Sequence, residues 1–272
     1  MLQCGKYRLA LDRPLVMGIV NLTPDSFSGD GLANRVDAAI AHAKAQLEAG
    51  ADMLDLGAES TRPGSVPPSV EEELVRLLPV LKEVVTWGVP VSVDTYKPPV
   101  MRAAIEAGCS MINDISGMRD PQALAIVAQS DCGVCAMHMQ GEPGTMQHDP
   151  HYDDVVLEVN DCLKAALSRC VAAGVAAERV VLDPGFGFGK TLAHNVDLFR
   201  GLSQTVALGC PVLVGVSRKS MLGALTGREV GQRLPASITA AVLAAQHGAA
   251  ILRVHDVAAT RDALAVWEAL GA

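Results

Sequence analysis

The chain has 272 residues, half of them hydrophobic, and its 22 Lys and Arg against 30 Asp and Glu give a formal net charge of −8. With only 19% charged and 3% aromatic residues it reads as a folded domain with an aliphatic core, which excludes a disordered segment. The acidic balance excludes broad attraction to nucleic acid or an anionic membrane, so any bound anion must be held by a local site.

The length suits one domain, residues 1–272, that buries about three-quarters of its unfolded surface. The seven cysteines (Cys4, Cys109, Cys132, Cys135, Cys162, Cys170 and Cys210) are odd in number and scattered, as expected of free thiols in a reducing compartment. Residues 1–14 carry no apolar leader. The longest nearly apolar stretch, 206–216, contains Pro211 and falls far short of the ~20 residues of a membrane span. A cytoplasmic protein with no membrane or nucleic-acid partner is expected. Cys132-x-x-Cys135 suggests zinc at first sight. The stretch reads as a strand, however, where residues three apart face opposite sides and cannot share an ion. His148 and His151 lie in an expected loop without a zinc-ligand pattern.

In chain order, residues 2–11 alternate weakly around Gly5 and predict a small hairpin. Eight short β-rich runs follow at 15–20, 53–57, 89–93, 110–115, 133–138, 180–182, 212–216 and 250–254. Between them, apolar residues recur at three- and four-residue spacing over 36–49, 71–85, 100–107, 123–129, 155–171, 195–206, 236–247 and 259–270. In 155–171 the predicted buried stripe includes Cys162, Cys170 and Val171. Gly50, Gly108, Gly174 and Gly248 stand where helices end before the next strand, as left-handed caps. Eight βα units with buried Val/Ile/Leu strands predict an α/β fold, a (β/α)8 TIM barrel of eight parallel strands with a short N-terminal hairpin. A doubly wound open sheet is the alternative.

In such a barrel the active site lies at the C-terminal ends of the strands. There the sequence places Asn21, the segment 59–64, Asp94, Asn113 with Asp114, the segment 137–140, Asp183 with the Gly-rich 184–190, the segment 217–220, and Arg253 with His255 and Asp256. Polar residues mark any strand end. That does not account for Asp94, Asn113, Asp183 and Arg253, which extend apolar strands and are costly to bury without partners. Carboxylate and amide acceptors suit a flat heterocycle with guanidine-like donors. Lys219 and Arg253 add cationic donors, and arginine also stacks on rings. Arg253, His255 and Asn21 could hold phosphate. Ser220 stands where a helix start offers backbone N–H groups. The Gly- and Ser-rich segments after the first two strands are candidate lids.

These stretches resemble the dihydropteroate synthase family. The resemblance is carried by 17–28 (MGIVNLTPDSFS), 59–64 (ESTRPG), 92–95 (SVDT), 113–117 (NDISG), 137–141 (MHMQG), 183–190 (DPGFGFGK), 217–220 (SRKS) and 253–256 (RVHD), in family order along nearly the whole chain. It implies condensation of dihydropterin diphosphate with p-aminobenzoate to 7,8-dihydropteroate and diphosphate. Asp94, Asn113, Met137, Asp183, Gly215, Lys219 and Arg253 would bind the pterin, with Asp94, Lys219 and Arg253 catalytic. Asn21, Arg253 and His255 would hold the diphosphate, Asn21 with Mg2+. Phe27, Thr61, Arg62, Pro63, Phe188, Lys219 and Ser220 would frame p-aminobenzoate, Phe27 closing over it. A homodimer and a sulfonamide target are implied. The segment Ser28-Gly29-Asp30-Gly31 departs from the family order, in which the Asp precedes both glycines.

Three other readings compete. A methyltetrahydrofolate-dependent methyltransferase would share Asp94, Asn113 and Asp183 but not need 61–63 or 217–220. A non-catalytic paralogue would bind pterin without turnover. A Schiff-base aldolase would use Lys190 or Lys219, although a loop or helix-start cation explains Lys190 equally well.

Overall fold

The computed structural model describes residues 1–22, 32–57 and 67–271. Two short strands, β1 (Leu2–Cys4) and β2 (Tyr7–Leu9), pair antiparallel as the expected hairpin. Eight parallel strands follow: β3 (Leu15–Asn21), β4 (Met53–Gly57), β5 (Val91–Asp94), β6 (Met111–Asp114), β7 (Gly133–Met137), β8 (Val180–Asp183), β9 (Leu213–Val214) and β10 (Ile251–Val254). Their order is β8-β7-β6-β5-β4-β3-β10-β9, and a parallel bridge between Leu182 and Val212 joins the two ends. The sheet therefore closes into the expected barrel and the open-sheet alternative fails.

The helices are α1 (Leu32–Glu48), α2 (Val70–Val84), α3 (Pro98–Glu106), α4 (Pro121–Ala128), α5 (Val155–Ala172), α6 (Leu192–Arg200), α7 (Leu202–Val206), α8 (Ser220–Thr226), α9 (Leu234–Gln246) and α10 (Val257–Leu270). Gly50, Gly108, Gly174 and Gly248 adopt φ between 92° and 98°. Each closes its helix with the paired terminal hydrogen bonds of a left-handed cap, as in Gly50 N to Leu47 O and Ala51 N to Gln46 O.

Three expectations need correction. The helix expected over 195–206 is two, broken at Gly201. There a Cβ would lie 2.7 Å from a methyl of Val156 on α5. In α5 the buried stripe is Val155, Val159, Asn160, Leu163, Ala166 and Cys170. Cys162 is only half-buried and Val171 is exposed, because the stripe follows one edge of the apolar face instead of its full width. Strand β9 is also shorter than expected, only Leu213–Val214.

Strand alternation divides the apolar residues into two layers. Val16, Leu54, Val91, Ile112, Val134, Val180, Val214 and Leu252 face outward and pack on helix residues such as Leu77, Leu81, Ala104 and Leu163. Leu15, Met17, Met53, Met111, Cys135, Val181, Leu213 and Ile251 fill the lower interior, closed beneath by Leu2 and Cys4 of the hairpin. Gly133 permits that closure, since a Cβ there would meet Cys4 Sγ at 3.0 Å and Gln3 O at 3.2 Å. Cys132 and Cys135 belong to these two different clusters, as the alternation argument requires. Truncating a fully buried side chain such as Leu54 to Ala costs about 2–5 kcal/mol. Going up the barrel, the inward positions change from apolar to polar.

Candidate active site

The polar layer is organised around one guanidinium. Arg253 on β10 donates from Nε to Asp55 Oδ2 at 2.6 Å and from Nη2 to Asp94 Oδ2 at 3.0 Å. Asn113 on β6 donates from Nδ2 to the same Asp55 oxygen at 3.3 Å. Asp55 is fully buried, while the Arg253 and Asp94 side chains remain 19% and 18% exposed. The network thus has a closed floor and an open upper face. Burial alone would lower the Arg253 pKa, but the charges of Asp55 and Asp94 raise it overall, so the cation is fixed.

Asp183 ends β8 and is buried. Its Oδ1 accepts the Gly185 N–H at 2.7 Å. Burial raises its pKa above the ordinary carboxylate range, against the opposing charge of Lys219 and the Gly185 hydrogen bond. Lys219 precedes α8 and lies half-buried. It donates from Nζ to Phe186 O at 2.6 Å and sits 4.7 Å from the centre of the Phe188 ring. Burial pushes its pKa down to about 8. Asp183 and Asp94 oppose that shift and Arg253 adds to it. Gly187, at φ +82°, passes its backbone beside this lysine, where a Cβ would meet Lys219 Cδ at 3.5 Å.

On the apolar side, Met137 packs with Ile115, Met139 and Met146, flanked by Tyr96 and Phe188. Gly215 leaves room over Arg253, whose Cβ and Cδ would lie 3.7 and 3.8 Å from a Cβ there. Ser220 is exposed as the first residue of α8.

The opposite side of the mouth carries Asn21, the last residue of β3, and His255 just beyond β10. His255 Nδ1 lies 3.1 Å from Ser217 Oγ, which also accepts the His255 N–H at 3.2 Å. Burial, with Arg253 and Arg218 adding to it, pushes His255 down to about 4, so the ring is neutral at pH 7. The tautomer with Ser217 donating to Nδ1 would leave the ring proton on Nε2. Gln46 on α1 ties the two strand ends together, donating to His255 O at 3.0 Å and Ile19 O at 3.4 Å. Arg218, at φ +60°, is clamped by both carboxylate oxygens of Asp256.

The structure thus brings together Asp94, Asn113, Asp183, Lys219 and Arg253, with Met137, Gly215 and Phe188 around them and Asn21 and His255 at the neighbouring strand ends. Phe27, Thr61, Arg62, Pro63 and Asp30 lie outside the described residues. The sequence reading misses one residue of the polar network and misplaces another side chain. Asp55, third of five residues in β4, joins Arg253 to Asn113; a charge interrupting Met-Leu-x-Leu-Gly was the available signal. Lys190, expected as a loop cation, is turned inward and only 3% exposed.

A family model described as a pterin binding enzyme matches residues 17–255. The chain is 52% identical to a dihydropteroate synthase of Neisseria meningitidis serogroup C, over 99% of this chain and 97% of that protein. The chain belongs to the dihydropteroate synthase family. Its fold matches the Xanthomonas albilineans dihydropteroate synthase solved with 4-aminobenzoic acid, with TM-score 0.92, 53% identity and coverage of 97% and 95% of the two chains. It likewise matches the Burkholderia cenocepacia dihydropteroate synthase complexed with 7,8-dihydropteroate, with TM-score 0.91, 49% identity and coverage of 99% and 96%. Membership of the dihydropteroate synthase family sets the methyltransferase reading aside. The aldolase reading loses Lys190 as well, since its ammonium is buried and hydrogen-bonded on all sides.

Proposed function

We propose that the barrel mouth joins a dihydropterin methyl diphosphate to p-aminobenzoate by a dissociative substitution on the pterin methylene. The chain is an enzyme of the dihydropteroate synthase type, forming 7,8-dihydropteroate and diphosphate. The observation that carries the route is the Asp55–Arg253–Asp94 array with its open upper face. It offers a flat cation for stacking and a carboxylate beside it.

Asn113, Asp183 and Lys219 bind the polar edge of the pterin, Met137 and Gly215 shape its apolar sides, and Arg253 lies against its face. Asn21, Arg253 and His255 hold the diphosphate, His255 as a neutral N–H donor. The bond between the methylene carbon and the diphosphate oxygen breaks, and its electron pair leaves with the diphosphate. The cation left behind spreads into the ring, and the Asp94 carboxylate stabilises it electrostatically. The lone pair of the p-aminobenzoate nitrogen then forms the new C–N bond, and the surplus N–H proton passes to solvent. Phe27, Thr61, Arg62, Pro63, Phe188, Lys219 and Ser220 frame the arylamine, Phe27 closing over it.

Mg2+ is the divalent cation we assign to this reaction. The amide oxygen of Asn21, half-buried at a strand end, is a hard oxygen donor that would help hold Mg2+. Among the described residues no three His, Cys, Asp or Glu side chains are grouped to hold a metal ion. Held by Asn21, Mg2+ would supply positive charge to neutralise the diphosphate leaving group. A homodimer is supported by exposed apolar side chains on α9 and α10, among them Leu243, Val266 and Leu270. We assign the enzyme to the cytoplasm on its seven free cysteines, as suits a reducing compartment; separately, no described helix is long and apolar enough to cross a membrane.

The test is diphosphate release from dihydropterin diphosphate with Mg2+, with and without p-aminobenzoate, together with product mass. Release coupled to 7,8-dihydropteroate is expected. Tight pterin binding without product would instead identify a non-catalytic paralogue.

A further inference from the structure

The Gly-rich segment after β8 runs without regular secondary structure, yet its carbonyls are fully engaged. Six consecutive carbonyls, 185 to 190, each accept a side-chain hydrogen bond. Lys190 Nζ donates to Gly185 O at 2.9 Å and to Phe188 O at 3.0 Å. Lys219 holds Phe186 O, Gln147 holds Gly187 O at 2.6 Å, Tyr152 holds Gly189 O at 2.8 Å, and Asn195 holds Lys190 O at 3.2 Å. Lys190 alone takes two of the six, and its third bond reaches His138 Nδ1 at 2.9 Å, just beyond β7.

The sequence permits this approach only because of its glycines. A Cβ on Gly185 or Gly189 would fall well inside contact distance of the His138 or Gln140 carbonyl. Lys190 is 3% exposed, and among the described residues no carboxylate bonds to its ammonium. A buried ammonium is costly, and here the three acceptors are its compensation. Burial pushes Lys190 down to about 7. His138 is pushed down to about 3 by burial, with Lys190 and Arg119 adding to it, so its ring is a neutral acceptor.

We propose that Lys190 is a positioning residue for the condensation: it latches the 185–190 wall onto the end of β7 and thereby sets the affinity for the arylamine through Phe188, touching neither substrate. The inference rests on the reading that Phe188 frames p-aminobenzoate. Asp183 is held by the β7–β8 ladder, where it pairs with Met137. Phe188 has no ladder, so its place depends on the latch. Loss of Lys190 therefore separates the two substrates.

Lys190→Met keeps the aliphatic stem and removes every donor. In the full-length enzyme the expected result is a KM for p-aminobenzoate raised about tenfold or more. The Kd for dihydropterin diphosphate, measured without p-aminobenzoate, should change less than threefold, and hydrogen exchange should rise in 185–190. Lys190→Gln, which can reach only one carbonyl, should fall between the two and serves if the Met variant does not fold. Unchanged exchange in 185–190, or equal losses for both substrates, would overturn the proposal. Phe188→Ala is measured in parallel. If it leaves the p-aminobenzoate KM unchanged while Lys190→Met still loosens the wall, the arylamine reading of Phe188 fails and the link to affinity is overturned with it.

Discussion

Replacing Asp55 by Asn tests whether the buried carboxylate fixes the reactive face of the site. Asn keeps the shape and one acceptor but removes the charge. Asp55 Oδ2 now accepts a 2.6 Å bond from Arg253 Nε and a 3.3 Å bond from Asn113 Nδ2, with no exposure to solvent. A charge-assisted bond of this kind contributes about 1.5–3 kcal/mol. Removing one partner of a buried ion pair costs about 3–5 kcal/mol when the other charge is left alone. Arg253 is not left alone, because Asp94 still holds it at 3.0 Å, so the lower range applies. At about 1.4 kcal/mol per tenfold, kcat/KM for the pterin diphosphate should fall about 10- to 100-fold. The KM for p-aminobenzoate should move less than threefold. The melting temperature should fall by about 3–12 °C, at about 2–4 °C per kcal/mol for a domain of this size. The assay is initial-rate kinetics with each substrate varied, alongside thermal unfolding. A variant whose kcat/KM stays within twofold of the parent would refute the view that Asp55 positions Arg253.

Three further outcomes follow from the same geometry. On the proposed reading Lys219 binds the pterin through a charge-assisted hydrogen bond, which weakens when the ammonium loses its proton. Its lowered pKa means that the charge is held below about pH 8 and lost above it, so pterin affinity should fall on the alkaline side of about pH 8; Lys219→Arg should move that limb to higher pH. His255 is neutral above about pH 4, so His255→Asn should weaken diphosphate binding by a similar factor at pH 5.5 and pH 7.5, measured by titration with inorganic diphosphate. Gly185→Ala drives a methyl into the His138 carbonyl at a positive φ, and should abolish soluble folded protein or lower its melting temperature by more than 10 °C, by scanning calorimetry.

Much of the barrel was legible in the sequence because two periodicities and one punctuation mark carry it. Runs such as Val180–Leu182 are apolar on both faces because parallel barrel strands are covered on both sides, and Gly caps sit where four of the helices turn back. The site was legible where a polar residue ends an apolar strand, as at Asp94, Asn113, Asp183 and Arg253. Asp55 escaped because that rule looks at strand ends, whereas the barrel's stagger lets a mid-strand residue reach the polar layer. In the ladders Asp55 stands opposite Ser92, and Gly57 opposite Asp94. The inward turn of Lys190 was not legible because a side chain folding back on its own loop leaves no period. Cys162 was misplaced because an apolar face read from spacing alone is wider than the stripe the barrel covers. Gly201 breaks a helix for a tertiary reason, the Val156 side chain, that no local pattern contains.

The central claim is that Asp94 stabilises a pterin methylene cation, and its most direct test is Asp94→Asn in single-turnover diphosphate release, paired with equilibrium binding of the pterin diphosphate. The account predicts turnover reduced a hundredfold or more with pterin Kd changed by less than about tenfold, because the charge matters most where the cation develops. Equal losses in turnover and binding would contradict it and would reduce Asp94 to a ground-state contact.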